Sequence, residues 1–141
     1  MTLKSNAIAT KAATWPLLEG ATMELLYLSE TEVPFAAVQA SQPRVKFAAN
    51  DARELTGSGV NEHVEELSVS EFFADLTRSQ KWHGPHEKQA IEQYRTLHRI
   101  FTEELSSSKV FKIGEIKVKI LVIGGTSDGL WIGVKTEAVE T

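Results

Sequence analysis

Apolar positions recur every third or fourth residue in two stretches of the chain and every second residue in others, and those two periods outline most of a domain. Leu18, Ala21, Leu25 and Leu28 fall on one helical stripe. Thr14-Trp15-Pro16 opens that helix: Thr14 is a capping residue, and Pro16 is tolerated in a first turn because no intrahelical N–H is lost there. Gly20 weakens it. The segment 29–34 ends the helix and turns the chain, since Pro34 pushes Val33 out of the α region. Residues 35–40 then read as a strand, 48–56 as a short helix stopped by Gly57-Ser58-Gly59, and 63–69 as a second strand. Residues 71–76 make a helical turn with Phe72, Phe73 and Leu76 inward.

The most regular helix is predicted over 85–105, punctuated at its start by Gly84-Pro85, with Glu87 near its positive end. Its apolar face is Ile91, Tyr94, Leu97, Phe101 and Leu105, and Ser106-Ser107-Ser108 ends it. From 110 to 123 the chain alternates, with Ile116, Val118, Ile120 and Val122 on one side, and reads as one long strand. Residues 124–129 form a hairpin turn, and 130–138 return as the last strand. Helices interleaved with strands and a closing hairpin predict an α+β sandwich, with helices on both faces of a mainly antiparallel sheet.

Length adds that this is one domain: 141 residues bury a single core of ordinary size. Residues 1–13 are small and polar and read as a flexible leader, leaving 14–141 as the folded unit. The absence of cysteine excludes disulfides, cysteine-ligated zinc, iron–sulfur clusters and thiol nucleophiles. A formal net charge of -4 argues against direct nucleic-acid binding, which needs a basic surface to displace counterions. No run approaches the roughly 18 to 20 apolar residues that span a bilayer, and Thr10 and Lys11 interrupt the only apolar stretch near the N-terminus. The expectation is a cytoplasmic protein without membrane attachment.

Two segments stand out as a set. One is Leu25-Leu26-Tyr27-Leu28-Ser29-Glu30-Thr31-Glu32-Val33-Pro34-Phe35; the other comprises Phe111-Lys112-Ile113-Gly114-Glu115, Leu121-Val122-Ile123-Gly124 and the closing Val139-Glu140-Thr141. With Phe72-Phe73 and Gln80-Lys81-Trp82, they resemble the nuclease A inhibitor family, small proteins that block a non-specific, magnesium-dependent DNA/RNA nuclease. The resemblance implies a three-layer α/β/α sandwich and a protein–protein function, as a monomer that forms a 1:1 heterodimer with the nuclease. It also implies that Glu30 and Thr141 enter the nuclease active site and engage its metal, while Trp82 and Gln80 belong to the same contact surface.

The physical chemistry agrees. A nuclease cleft holds a hard cation and basic side chains arranged for a phosphodiester, and carboxylate oxygens can stand where phosphate oxygens would lie. The α-carboxylate and hydroxyl of Thr141, with Glu140 adjacent, offer such oxygens in a compact form. Glu30 and Glu32 lie in a stretch from Glu19 to Glu32 that holds four glutamates and no basic residue, a setting that steers toward a basic cleft. Trp82, flanked by Lys81 and His83, has the character of an aromatic anchor in a polar rim. Lys81, Lys117, Lys119 and Val33 depart from the family pattern and motivate a second reading, a binding module of the same scaffold that regulates a different hydrolase.

An enzyme is the weakest reading. His83 and His86 are followed by Glu87, but Gly84-Pro85 separates the histidines and spacing offers no third ligand, so no metal site or cofactor of the chain's own is expected. His98 lies beside the apolar stripe and reads as a partly buried helix residue. The glycine-rich turn at Gly124 joins two strands and lacks the Gly-Lys-Ser/Thr ending of a phosphate loop. Glu65-Glu66 and Glu103-Glu104 are sequence neighbours that splay apart, unlike converging catalytic carboxylates.

Overall fold

A computed structural model of the chain describes residues 10–27, 33–40, 43, 45–77 and 84–139, with 85–87 as backbone only. The first helix, α1 (Lys11–Thr22), starts earlier than the sequence predicts. Thr10 is the cap, its hydroxyl accepting from the Ala13 amide at 3.2 Å. Thr14, the expected cap, is one turn inside and fully buried, and Pro16 sits within the helix. The helix also ends early. Met23 and the left-handed Glu24 (φ 56°) turn the chain, so Leu25 is buried beyond the helix, and Leu28 lies outside the described residues.

Two residues, β1 (Leu26–Tyr27), then pair antiparallel with two more, β2 (Val33–Pro34), a small sheet with no periodic signal in the sequence. Strand β3 (Ala36–Gln39) and helix α2 (Ala49–Leu55) follow as expected. The Asp51 carboxylate accepts from the Ala48 amide at 2.8 Å at the start of α2, and the chain leaves it through Gly57 at φ +69°. Strand β4 (Val64–Leu67) leads to α3 (Val69–Leu76). Ser68 caps α3 reciprocally: its hydroxyl accepts from the Glu71 amide at 3.0 Å, and its own amide donates to the Glu71 carboxylate at 3.3 Å.

The long helix α4 (Pro85–Arg99) runs into a π-helical turn over Ile100–Glu104. All five residues of its predicted apolar face are buried. The stretch read as one strand is two: β5 (Ser106–Ile113) and β6 (Lys117–Gly125). Gly114 makes the reversal possible at φ +107°, where a Cβ would lie 2.4 Å from the Lys117 carbonyl oxygen. Ile116, counted as inward by alternation, is in that turn and 64% exposed. Strand β7 (Trp131–Val139) closes the order β3-β7-β6-β5-β4, antiparallel throughout.

The fold is α+β, with four α-helices, this five-stranded sheet and the two-residue pair among the described residues. Alternation along β6 and β7 divides the core. Val118, Ile120, Val122, Ile132 and Val134 pack with Leu18 of α1, Phe73 of α3, and Leu97 and Phe101 of the α4 segment. Phe111, Ile113, Leu121, Ile123 and Trp131 pack with Phe47 and with Ala52 of α2. Each fully buried Leu, Ile or Phe contributes about 1.5–3 kcal/mol relative to exposure, which favours the register that sends each set inward.

Candidate partner-binding site

The six residues singled out by the sequence, Glu30, Glu32, Gln80, Trp82, Glu140 and Thr141, all lie outside the described residues, as do His83 and the side chains of His86 and Glu87. Their flanks are described. Tyr27 and Val33, which bracket 28–32, are register partners across the small sheet. The carbonyl of Val33 accepts a hydrogen bond from the Thr136 hydroxyl of β7 at 3.0 Å. Three residues beyond Thr136, about 10 Å along a strand, β7 reaches Val139, paired with Lys117. The flank of 28–32 and the flank of 140–141 thus belong to the same end of one ladder.

That end is anchored from the helices. The Tyr94 hydroxyl donates to the Leu26 carbonyl at 2.7 Å, and Gln93 Nε2 donates to the carbonyls of Ala21 and Met23 at 3.1 and 2.9 Å. Burial pushes the Tyr94 phenol well above its ordinary range, with Tyr27 adding to the effect, so the hydroxyl keeps its proton and remains a donor. The Tyr27 ring stacks on Phe72 and meets Phe35 edge-on. Pro85 precedes Tyr94 by nine residues, about 14 Å of helix, on the side away from Ser106. The described flanks of 78–83 are Thr77, whose hydroxyl donates to the Phe73 carbonyl at 2.8 Å, and Gly84, whose carbonyl accepts from the Lys88 amide at 3.0 Å.

Sequence reasoning missed a pocket of about 130 Å³ at the same end, walled by Val33, Pro34 and Ala36 and floored by Lys119, Lys135, Thr136 and Glu137. Lys119 Nζ donates to the Thr56 carbonyl at 3.1 Å and to that of Gly57 at 3.5 Å, so its stem is held across the pocket. Lys119 and Glu137 are register partners, and Lys135 pairs with Ala36 on the other side of β7. The only signal in the sequence was the alternating Lys117 and Lys119 in β6 and the Lys135 and Glu137 pair in β7.

The opposite end of β6 and β7 is closed. Thr126 bonds across the turn to Leu130, and Asp128 accepts from the Thr126 hydroxyl and, at 3.3 Å, from the Lys11 amide at the start of α1. The Thr126 hydroxyl, with help from that amide, holds the Asp128 carboxyl below its usual range. Among the described residues no group of three or more His, Asp or Glu side chains could hold a metal ion, and His98 stacks on Phe73 at 5.5 Å as a half-buried helix residue. No helix among them is long and apolar enough to cross a membrane.

What this scaffold is for follows from a comparison with known families. The family model described as nuclease A inhibitor-like protein matches residues 13–141, nearly the whole chain. The chain belongs to the nuclease A inhibitor-like family, which points to a nuclease inhibitor-type protein that binds a nuclease. None of the curated proteins matches it.

Proposed function

We propose that the protein is a stoichiometric inhibitor of a sugar-non-specific, magnesium-dependent DNA/RNA nuclease, forming a 1:1 heterodimer with it in the cytoplasm. Glu30 and the terminal Thr141 occupy the nuclease cleft beside its magnesium, Glu32 and Glu140 add negative charge around them, and Gln80 and Trp82 anchor the periphery. The inhibitor needs no cofactor or metal of its own and performs no chemistry. The working unit is 14–141, behind a leader over 1–13 whose last residues join α1. Its architecture reads as three layers, α1, α3 and α4, then the sheet, then α2, supported by the two core clusters on opposite strand faces.

Besides family membership, the observation that carries this reading is the Thr136–Val33 hydrogen bond. It ties the stretch leading from Glu32 to the strand leading to Glu140 and Thr141, and pre-ordering two flanks from one ladder reduces the entropy lost on docking. Titrating the protein against a non-specific nuclease from the same organism, with DNA digestion followed in magnesium, tests it. Activity should fall linearly and vanish near one equivalent. No effect at micromolar excess would instead favour the second reading, a module regulating a different hydrolase, which Lys117 and Lys119 at this end support.

A further inference from the structure

We infer that the pocket under Val33 and Pro34 is a charge-selective socket for one acidic side chain of the nuclease, and that Lys135 is its main determinant. The inference rests on the inhibitor reading and sharpens it, because it names a feature the partner must have.

A nuclease cleft is basic, and an inhibitor that fits it by anionic oxygens alone has no reason to carry cations at its docking end. Yet this pocket holds two lysines against one glutamate. They are not equivalent. Lys119 has its ammonium committed to the Thr56 and Gly57 carbonyls, which draws it toward α2 and leaves little of its donor capacity for a guest. Lys135 is exposed, and its ammonium makes no hydrogen bond or ion pair with another described residue. Among the described residues nothing takes up its three donors or its charge.

Size and walls narrow the guest. About 130 Å³ is room for a few atoms, a carboxylate on a short stem rather than a nucleotide. Val33, Pro34 and Ala36 supply apolar contact for such a stem. Glu137, on the same strand face, repels a second negative charge and so disfavours a phosphodianion over a monoanionic carboxylate. The location binds the socket to docking: the same Val33 that walls it leads directly from Glu32, and Thr136 in its floor holds that residue's carbonyl. A partner that engages the stretch just before Val33 therefore lies beside this pocket, and a nuclease presenting a basic group there is disfavoured by like charge.

The test uses the full chain and a nuclease that the wild-type protein inhibits. Lys135→Met should weaken inhibition about two- to tenfold and Lys135→Glu more than tenfold, mainly through slower association and with a loss that shrinks as salt rises. Lys119→Met, which also disturbs the contact with α2, should cost less inhibition than Lys135→Glu. A panel of nuclease variants, each with one acidic residue near the cleft changed to lysine, should contain one that restores inhibition by Lys135→Glu.

If Lys135→Glu inhibits like wild type while its melting temperature is unchanged, or if no panel member rescues it, the socket is refuted and the inhibitor reading stands. Amide shifts of Lys135 and Thr136 that saturate with inorganic phosphate below millimolar in the free protein would likewise overturn it, by making the pocket a small-anion site. A wild-type protein that inhibits no such nuclease removes the inhibitor reading and the socket together.

Discussion

The two ends of the β6–β7 ladder are built to opposite purposes. At the Gly125–Trp131 end the turn is closed by bonds among Thr126, Asp128, Leu130 and the first residue of α1. Toward the Lys117–Val139 end the turn before β6 leaves Ile116 exposed, the Lys135 ammonium has no partner among the described residues, and the small sheet is tied to β7 through the Thr136–Val33 bond. Identical hydrogen-bonded strands connect the two. One end is bonded among its own residues; the other carries the pocket under Val33 and Pro34 and the described flanks of 28–32 and 140–141.

The comparison breaks most visibly if Thr141 is deleted or a tag is fused after it. Losing a desolvated charged anchor costs about 2 to 5 kcal/mol, roughly 30- to 4,000-fold in inhibition, while the thermal midpoint should stay where it is. Gly133→Ala attacks the strand that joins the ends. The new Cβ would lie 1.8 Å from the Val122 carbonyl oxygen, so β6 and β7 must part. Stability should fall by about 1 to 3 kcal/mol or more, read as a lowered denaturant midpoint, and both ends should loosen together.

Thr136→Val is subtler. It keeps the shape but leaves the Val33 carbonyl without its partner, about 1 kcal/mol in stability, and inhibition should weaken several-fold more than melting alone explains. Asp128→Asn is the smallest and belongs wholly to the closed end. Because the folded carboxyl sits below its unfolded value, its stabilisation is present above the unfolded value and disappears as pH falls through the folded one. Wild type should melt slightly above the variant at neutral pH, the two should start to converge only as pH drops below about 4, and inhibition should not distinguish them.

Much of the fold was legible because burial and period agree. The stripe Ile91, Tyr94, Leu97 and Phe101 is buried as its spacing demands, and α2, β3, β4 and β7 fall close to where breakers and alternation put them. The errors have local causes. Thr10 and Thr14 are both capable caps one turn apart, and only the packing of Thr14 selects the earlier one. The β5–β6 turn lies where the apolar phase slips, from Phe111 and Ile113 to Ile116 and Val118, a one-residue shift that the single-strand reading passed over, with Gly114 at φ +107° in the reversal. The β1–β2 pair is too short for any period. At the site, the motif named Glu30 and Thr141, but the bond that gathers their flanks links Val33 to Thr136, far apart in sequence and silent until the chain folds.

The strand order carries one more consequence. Strand β3 has β7 as its only ladder partner among the described strands, yet most of the chain, from Gln39 to Trp131, separates them. A nascent chain emerging from the ribosome therefore holds β3 unmatched through most of its synthesis, and the five-stranded sheet stays incomplete until the closing strand slots between β3 and β6. Such a protein assembles late and all at once, and chains released early by a premature stop would be cleared as unfolded rather than survive as weak competitors.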